Sequence, residues 1–392
     1  MGRAAAALDF GTSKIAFVYG KKDAMGLVTV AGAAVEPYGG FRDDVWLDAE
    51  SLPDAISRAH RALELQVNKR IQDVYVALPG DYVRVYFREI SCRPSGENGA
   101  VTPEDLQQLS DQVMEFTYPD NMRLLNRQVV YYLLDSELIR TSPIMMTGDR
   151  LTMYVSIVMG DSGFMSHVEE LLASLGLGVI GFVASPTAEA KLISTYQSET
   201  ATSVVLDTGH FSTDIMVMDS GEPIYHTVLP VGGDRLEHDL SAIFRIPKSA
   251  AALIKKRVAL GLDAGETTQT VDLEDGESYE YSLDMAQQVV EARLEDTLRR
   301  IQKMVNGFGI TLDGSVHIYL TGNGFASIRG AREFMSQKTG TMVRLFQPQT
   351  PMTPSPSMTC AVGVLSYVLQ EGLREAKPSL MQAIKYFFKE YF

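Results

Sequence analysis

AAALDFGTSK (residues 5–14) and SVVLDTGHFSTD (residues 203–214) are two versions of one pattern: a short apolar strand ending in Leu-Asp-x-Gly, followed by hydroxyl side chains. The aspartates, Asp9 and Asp207, stand 198 positions apart in a chain of 392 residues. Each motif runs into more strand-like sequence (15–19 and 215–218), then a Gly-containing turn and another strand, so each half opens on consecutive hairpins. A strand that delivers an Asp into a Gly turn supplies backbone N–H groups for an anion and a carboxylate for Mg²⁺, directly or through water. One such turn commonly marks an ordinary hairpin. Two, half a chain apart, form a pair that can pinch a phosphate chain between domains.

Outward from these motifs, a third strand over 316–320 ends in Thr321-Gly322-Asn323-Gly324, and a helix is expected over 327–338. Helical periodicity also marks 52–65, 167–175, 249–260 and 283–305. Strands and helices alternate in both halves, which predicts an α/β fold. Between 82 and 160 the pattern changes to strand, Pro/Gly/Asn-rich turn, helix from Thr102, then strands at 127–134 and 151–159: a small α+β insertion in the first half. The apolar run 176–184 reads as buried core. Residues 347–357 carry four prolines and are expected as extended loop; a helix over 359–369 closes the fold, and a polar spacer, 371–379, precedes a thirteen-residue end.

A composition of 45% hydrophobic and 21% charged residues is globular, and the length calls for more than one core. The two cysteines, Cys92 and Cys360, give neither a disulfide framework nor a CxxC metal site, which suits a reducing cytoplasm. No secretory leader is read at the N-terminus, and no stretch reaches the roughly 18 apolar residues of a membrane span. A formal charge of −14 opposes nucleic acid, and any attraction to anionic lipid must be local.

The last segment supplies such a locality. Ser379 can cap a helix whose third residue is Gln382. At 100° per residue Leu380, Met381, Ile384, Phe387, Phe388, Tyr391 and Phe392 fall within roughly 140°, and Lys385 lies outside that arc with Gln382, Lys389 and Glu390. A basic, aromatic helix on an acidic body fits a peripheral anchor in anionic membrane lipid. The alternative is docking of this helix on its own domain. Thirteen residues make a weak single anchor, so several on one polymer would bind more firmly.

The two Asp turns and the Gly-rich turn together resemble the actin, heat-shock chaperone and sugar-kinase superfamily, and within it the chain is similar to the FtsA family over nearly its whole length. LDFGTSKI resembles that family's opening motif, VYVALPG (74–80) its strand into an insertion domain, 172–184 its first connecting segment, LPVGG (229–233) with Asp239 and Ile254-Lys255 its second, and TCAVGVL (359–365) its closing helix. The resemblance implies an actin-like (ribonuclease H-like) two-lobed fold. It divides the chain into first-lobe core (1–81 and 163–198), insertion domain (82–162), second lobe (199–346, with a peptide-binding subdomain at about 235–310), closing loop and helix (347–370), linker (371–379) and amphipathic membrane-targeting helix (380–392). It implies ATP held by Asp9, Gly11, Thr12, Ser13 and Lys14, by Asp207, Gly209, Thr213 and Asp214, by Gly232, Gly233 and Lys255, and by Gly322, Asn323 and Gly324, with Mg²⁺ near Asp9 and Asp207 through water. The chain departs from the family at three places. His210 and Phe211 replace glycines of the second phosphate turn, Ala252 replaces a ribose-side Glu, and Asn323 replaces a Gly. At most weak ATPase activity is expected.

The resemblance further implies a cell-division protein at the cytoplasmic face of the cell membrane, at the division site, that forms filaments with itself and receives the C-terminal peptide of the tubulin-like protein FtsZ. Arg293, Arg299, Arg300 and Lys303, on the helix 285–305, are the residues implied for that peptide, although such a cationic face is ordinarily just solvated. Two other functions carry weight. A PilM-like pilus-assembly protein shares the cleft but has no use for the amphipathic tail. A small-molecule kinase needs a general-base Asp beside its substrate, and no motif supplies one.

Overall fold

The structure, a computed structural model, describes residues 3–42, 45–196, 202–262 and 267–370. It opens with β1 (Arg3–Phe10), β2 (Lys14–Lys22) and β3 (Val28–Pro37), an antiparallel meander. A two-residue ladder follows, β4 (Phe41–Arg42) with β5 (Val45–Trp46), then α1 (Leu52–Val67) and β6 (Asp73–Leu78), which returns parallel to β1. The chain then leaves this lobe for β7 (Val83–Cys92), α2 (Pro103–Met114), β8 (Met122–Leu134), β9 (Glu137–Ile139) and β10 (Leu151–Asp161), a separate sheet of order β7-β10-β8-β9. It re-enters through α3 (Ser162–Ser174), β11 (Gly178–Ala184) and α4 (Ser185–Tyr196), completing a sheet of order β11-β6-β1-β2-β3.

The second lobe repeats the scheme. β12 (Ser203–Thr208), β13 (Thr213–Asp219) and β14 (Glu222–Leu229) form the meander, and α5 (Gly233–Phe244) and α6 (Lys248–Arg257) follow. A hairpin of β15 (Thr268–Asp272) and β16 (Ser278–Ser282) leads into α7 (Leu283–Gly307). Then β17 (His317–Gly322) pairs parallel to β12, and α8 (Ala331–Thr339), β18 (Val343–Leu345) and α9 (Thr359–Gln370) finish the chain's described part. The order β14-β13-β12-β17-β18 mirrors the first sheet. This is the expected α/β, actin-like architecture of two ribonuclease H-like lobes.

Strand periodicity explains the layering. In β1, Ala6, Leu8 and Phe10 join the core over α1 and α3, whereas Ala5 and Ala7 face α4 and α9. In β12 the same alternation sends Val204 and Leu206 into the second-lobe core and Val205 toward α4 and α9. The two sheets therefore share a middle layer of two helices, met on the first-lobe face chiefly by alanines and valines. A methyl on Gly363 of α9 would lie 2.8 Å from the Ala188 carbonyl of α4, so a glycine is needed at this crossing. The insertion sheet has its own core with α2 and leans on the second lobe, where Arg140 reaches Asp219 at 3.3 Å.

Some elements differ from expectation for identifiable reasons. Helix α8 begins at Ala331 rather than 327 because Gly330 precedes it at φ +79°. Helix α6 ends at Arg257 rather than 260, since the following residues become extended and the Leu260 N–H donates to the Arg329 carbonyl at 2.8 Å. The run 176–184 is buried at Leu177 and again from Phe182 to Ala184, but not between; β11 is an edge strand and Ile180 is 50% exposed. No helix among the described residues is long and apolar enough to cross a membrane. The linker and the residues named for the membrane, Leu380 to Phe392, lie outside the described residues.

Candidate functional site

The two Asp turns have the same construction. Asp9 faces Ala16 across its hairpin and Asp207 faces Asp214. In each turn the glycine closes the loop, Gly11 N–H donating to the Lys14 carbonyl at 3.0 Å and Gly209 N–H to the Ser212 carbonyl at 2.8 Å. The turns meet across the lobes, with the Phe211 N–H 3.4 Å from Thr12 Oγ1. Ser13 holds the turn's other flank, its carbonyl accepting from the Tyr38 N–H at 3.3 Å, and the Tyr38 hydroxyl donates to the Gly11 carbonyl at 2.7 Å.

Between the turns lies a group of carboxyls with little positive charge. Asp9 is buried and accepts from Cys360 Sγ at 3.0 Å; burial raises its pKa, against the pull of Cys360 and Lys14. Asp207, partly open to the cleft, is pushed up to about 7 by burial and by the neighbouring Asp214 and Asp9. Glu189, from α4, is 2% exposed. Burial, then Asp207, Asp214 and Asp9, push its pKa up, and it shares a hydrogen bond with Asp207. Asp214 accepts from His226 Nε2 at 2.9 Å. Lys14 is the ammonium facing this group; burial lowers its pKa, Asp9 and Asp207 raise it, and its Nζ donates to the Ser357 carbonyl. Four carboxyls are set against one ammonium among the described residues, and no three of them bring ligand atoms within 4.8 Å of one another, so a hard divalent cation here would be met largely through water.

The glycine-lined wall comes from the second lobe. Gly322 sits at φ +82°, and a Cβ there would come within 2.1 Å of Asp207 Oδ1. A Cβ on Gly324 would meet the Gly209 carbonyl at 2.5 Å, and Asn323 between them is exposed. Gly232 and Gly233 start α5 against the second turn, the Gly233 N–H donating to the Gly209 carbonyl at 3.0 Å and the Asp234 N–H to the His210 carbonyl at 2.8 Å. A Cβ on Gly233 would lie 3.1 Å from Gly324 Cα, so the segments named in both parts of the second lobe converge.

Two of the named residues are committed elsewhere. Thr213 is fully buried and its hydroxyl donates to the Val231 carbonyl at 2.7 Å, binding β13 to the segment before α5. Lys255, 8% exposed, pairs with Glu237 at 2.5 Å. Glu237, Asp234 and His210 place ligand atoms within 4.8 Å of one another, yet Lys255 and Lys248 already neutralise the two carboxylates, so nothing there calls for a metal. Sequence reasoning missed Glu189 and Cys360 as site residues.

The cationic face of α7 divides in two. Arg293 is largely buried, its Nε 2.5 Å from Asp239 on α5 and its Nη1 3.3 Å from Asp296. Arg299 and Arg300 are exposed and lean on Asp296 at 3.6 and 3.0 Å. Arg300 and Lys303 line a cavity of about 570 Å³ with Tyr225, Leu229, Met304 and Phe308, and the Tyr225 and Phe308 rings stack at 4.6 Å.

Residues 204–363 match the family model "Cell division protein FtsA". The chain is 27% identical to the cell division protein FtsA of Pseudomonas aeruginosa over 94% of its own length and 90% of that protein's. It is 26% identical to that of Neisseria meningitidis (91% and 88%) and 21% identical to that of Bacillus subtilis (92% and 82%). Among solved structures, a PilM-PilN type IV pilus biogenesis complex is similar at TM-score 0.61 with 17% identity, covering 93% of this chain and 98% of the other. MreB5 of Spiroplasma citri bound to ADP is similar at TM-score 0.51 with 13% identity, covering 95% and 99%.

Proposed function

Starting from a chain that is a divergent relative of the FtsA cell-division proteins, with an actin-like fold, we propose that it binds an adenine nucleotide, assembles with itself and tethers FtsZ filaments to the cytoplasmic face of the membrane at the division site. The observation that carries the nucleotide part is the pair of equivalent Asp-x-Gly turns facing each other across two matching lobes. In this reading ATP lies in the cleft, its phosphates over the turns at Gly11 to Lys14 and Gly209 to Ser212 and its adenosine against Gly322 to Gly324. Mg²⁺ would be held near Asp9 and Asp207 through water and would supply charge neutralisation for the phosphates. Lys14 adds the ammonium. Hydrolysis is at most weak, because His210 and Phe211 occupy the turn where glycines let backbone approach phosphate.

The exposed cations of α7, Arg299, Arg300 and Lys303, suit the FtsZ C-terminal peptide, and residues 380–392 suit anionic lipid. The likeness to PilM is one of fold, and the tail's apolar arc favours the membrane-tether reading over a pilus one. Co-sedimentation with phosphatidylglycerol-containing vesicles and an FtsZ tail peptide, with and without ATP, tests the whole. The full chain should pellet with vesicles and carry the peptide down; a chain ended at Lys377 should do neither. Equal pelleting by the two chains would refute the tether.

A further inference from the structure

Helix α5 carries a carboxylate that the nucleotide reading has left unused. Glu237 stands one turn after Gly233, on the same face of the helix. It takes the Lys255 ammonium of α6 at 2.5 Å, and its side chain keeps 12% of its surface open. Where the family pattern has a ribose-side Glu, position 252 is Ala, and the carboxylate reaches Lys255 from the neighbouring helix instead. A buried ion pair adds little stability over apolar side chains of the same volume, so its position is the more informative feature.

That position is fixed from two sides. Toward the glycine wall, Lys255 Nζ and Gly324 Cα stand 2.9 and 3.1 Å from the point where a Cβ on Gly233 would lie. Toward the second Asp turn, a Glu237 carboxylate oxygen, an Asp234 carboxylate oxygen and a His210 ring nitrogen lie within 4.8 Å of one another. The pair therefore sits between Gly324 on one side and His210 of the turn on the other. In a nucleotide with its phosphates on the turn and its base along the glycines, the sugar is the part between. A carboxylate offers about four lone-pair directions and an ammonium three N–H groups. Their contact with each other thus leaves acceptors on Glu237 and donors on Lys255 for a vicinal diol.

We propose that the Glu237–Lys255 pair reads the sugar of the bound nucleotide, Glu237 accepting from the ribose 2′- and 3′-hydroxyls, so that the cleft selects nucleotides with an intact diol. The inference rests on the nucleotide reading above and deepens it. A sugar without the diol leaves a nearly buried carboxylate oxygen with no donor, and that loss, rather than a clash, rejects it.

Isothermal titration of the full chain with ADP and with 2′,3′-dideoxy-ADP, each with Mg²⁺, decides it. Wild type should bind ADP tighter by about tenfold or more. Glu237→Gln, with its amide oxygen on Lys255 and its NH₂ toward the sugar, should narrow that ratio to within about threefold, through weaker ADP binding. A pair that only ties α5 to α6 would weaken both nucleotides alike in this variant and leave the ratio unmoved. That result, or equal binding of the two nucleotides by wild type, overturns the proposal while the nucleotide reading stands. Binding of neither nucleotide by wild type overturns both. Should Glu237→Gln fail to fold, Glu237→Asp, one methylene shorter, reads the same ratio with the same expected narrowing.

Discussion

Asp207 and Glu189 are carboxyls that share a hydrogen bond and whose pKa values burial raises, and this sets how the nucleotide-free chain responds to pH. The Asp207 pKa is raised to about 7 in the fold, by burial first. The folded state therefore keeps a proton that the unfolded chain releases near the ordinary aspartate value. The stabilisation is complete below about pH 4 and is lost as pH rises toward about 7. Thermal melts of wild type and Asp207→Asn between about pH 5 and pH 7.5 should show the wild type losing stability relative to the variant as pH increases; parallel curves would contradict this. Sequence reading found Asp207 through its Gly turn but passed over Glu189. An acid among alanines in an ordinary helix carries no local signal, and its meaning comes only when α4 is laid between two sheets. Thr213 shows the converse, a hydroxyl that looks like part of a phosphate loop and is spent on a backbone carbonyl.

Single elements are held by their ends and by their charged faces. Helix α2 begins with a reciprocal cap, the Asp105 N–H donating to Thr102 Oγ1 at 3.2 Å and the Thr102 N–H to Asp105 Oδ2 at 2.8 Å. Burial acts against the Asp105 carboxylate, yet hydrogen bonds from Thr102 and Ser95 hold its pKa below the usual range. Thr102→Ala should cost about 1 kcal/mol in denaturant unfolding. On α7 the arginines are not equivalent. Arg293→Ala should cost about 1.5–3 kcal/mol, because Asp239 and Asp296 lose a charged, largely buried partner. Arg300→Glu should leave stability within about 0.5 kcal/mol and weaken an acidic peptide; fluorescence anisotropy with an FtsZ tail peptide measures it. Charge reversal at Arg293 would thus confuse partner binding with loss of fold. The long period of α7 was plain in the sequence, whereas its salt-bridge partner on α5 is 54 residues away and had no local signature.

At the scale of the molecule, the two lobes are legible from one echo because a hairpin needs only its own sequence to form, and the turn was repeated with its register intact. Only half of the middle layer was legible: α9 was read over 359–369, but α4, apolar on opposite sides at once, lacks the one-sided stripe that marks a helix. Gly363→Val should force these helices apart at the Ala188 carbonyl, costing roughly 1–3 kcal/mol and lowering hydrogen-exchange protection in both sheets together. Protection lost in one sheet alone would show that the layer is not shared.

Helix α9 also begins with neighbouring residues that answer to different lobes. Thr359 exchanges a hydroxyl contact of 2.7 Å with Thr321 at the end of β17, and Cys360 donates to Asp9 at the end of β1. A swing of one half of the body against the other would therefore strain that two-residue step. The rod that follows is twelve residues long and ends at Gln370, where the spacer to the basic end of the chain begins. Because α9 is buried between both sheets along its length, a change in the angle between the lobes would be felt along the whole helix, as far as Gln370.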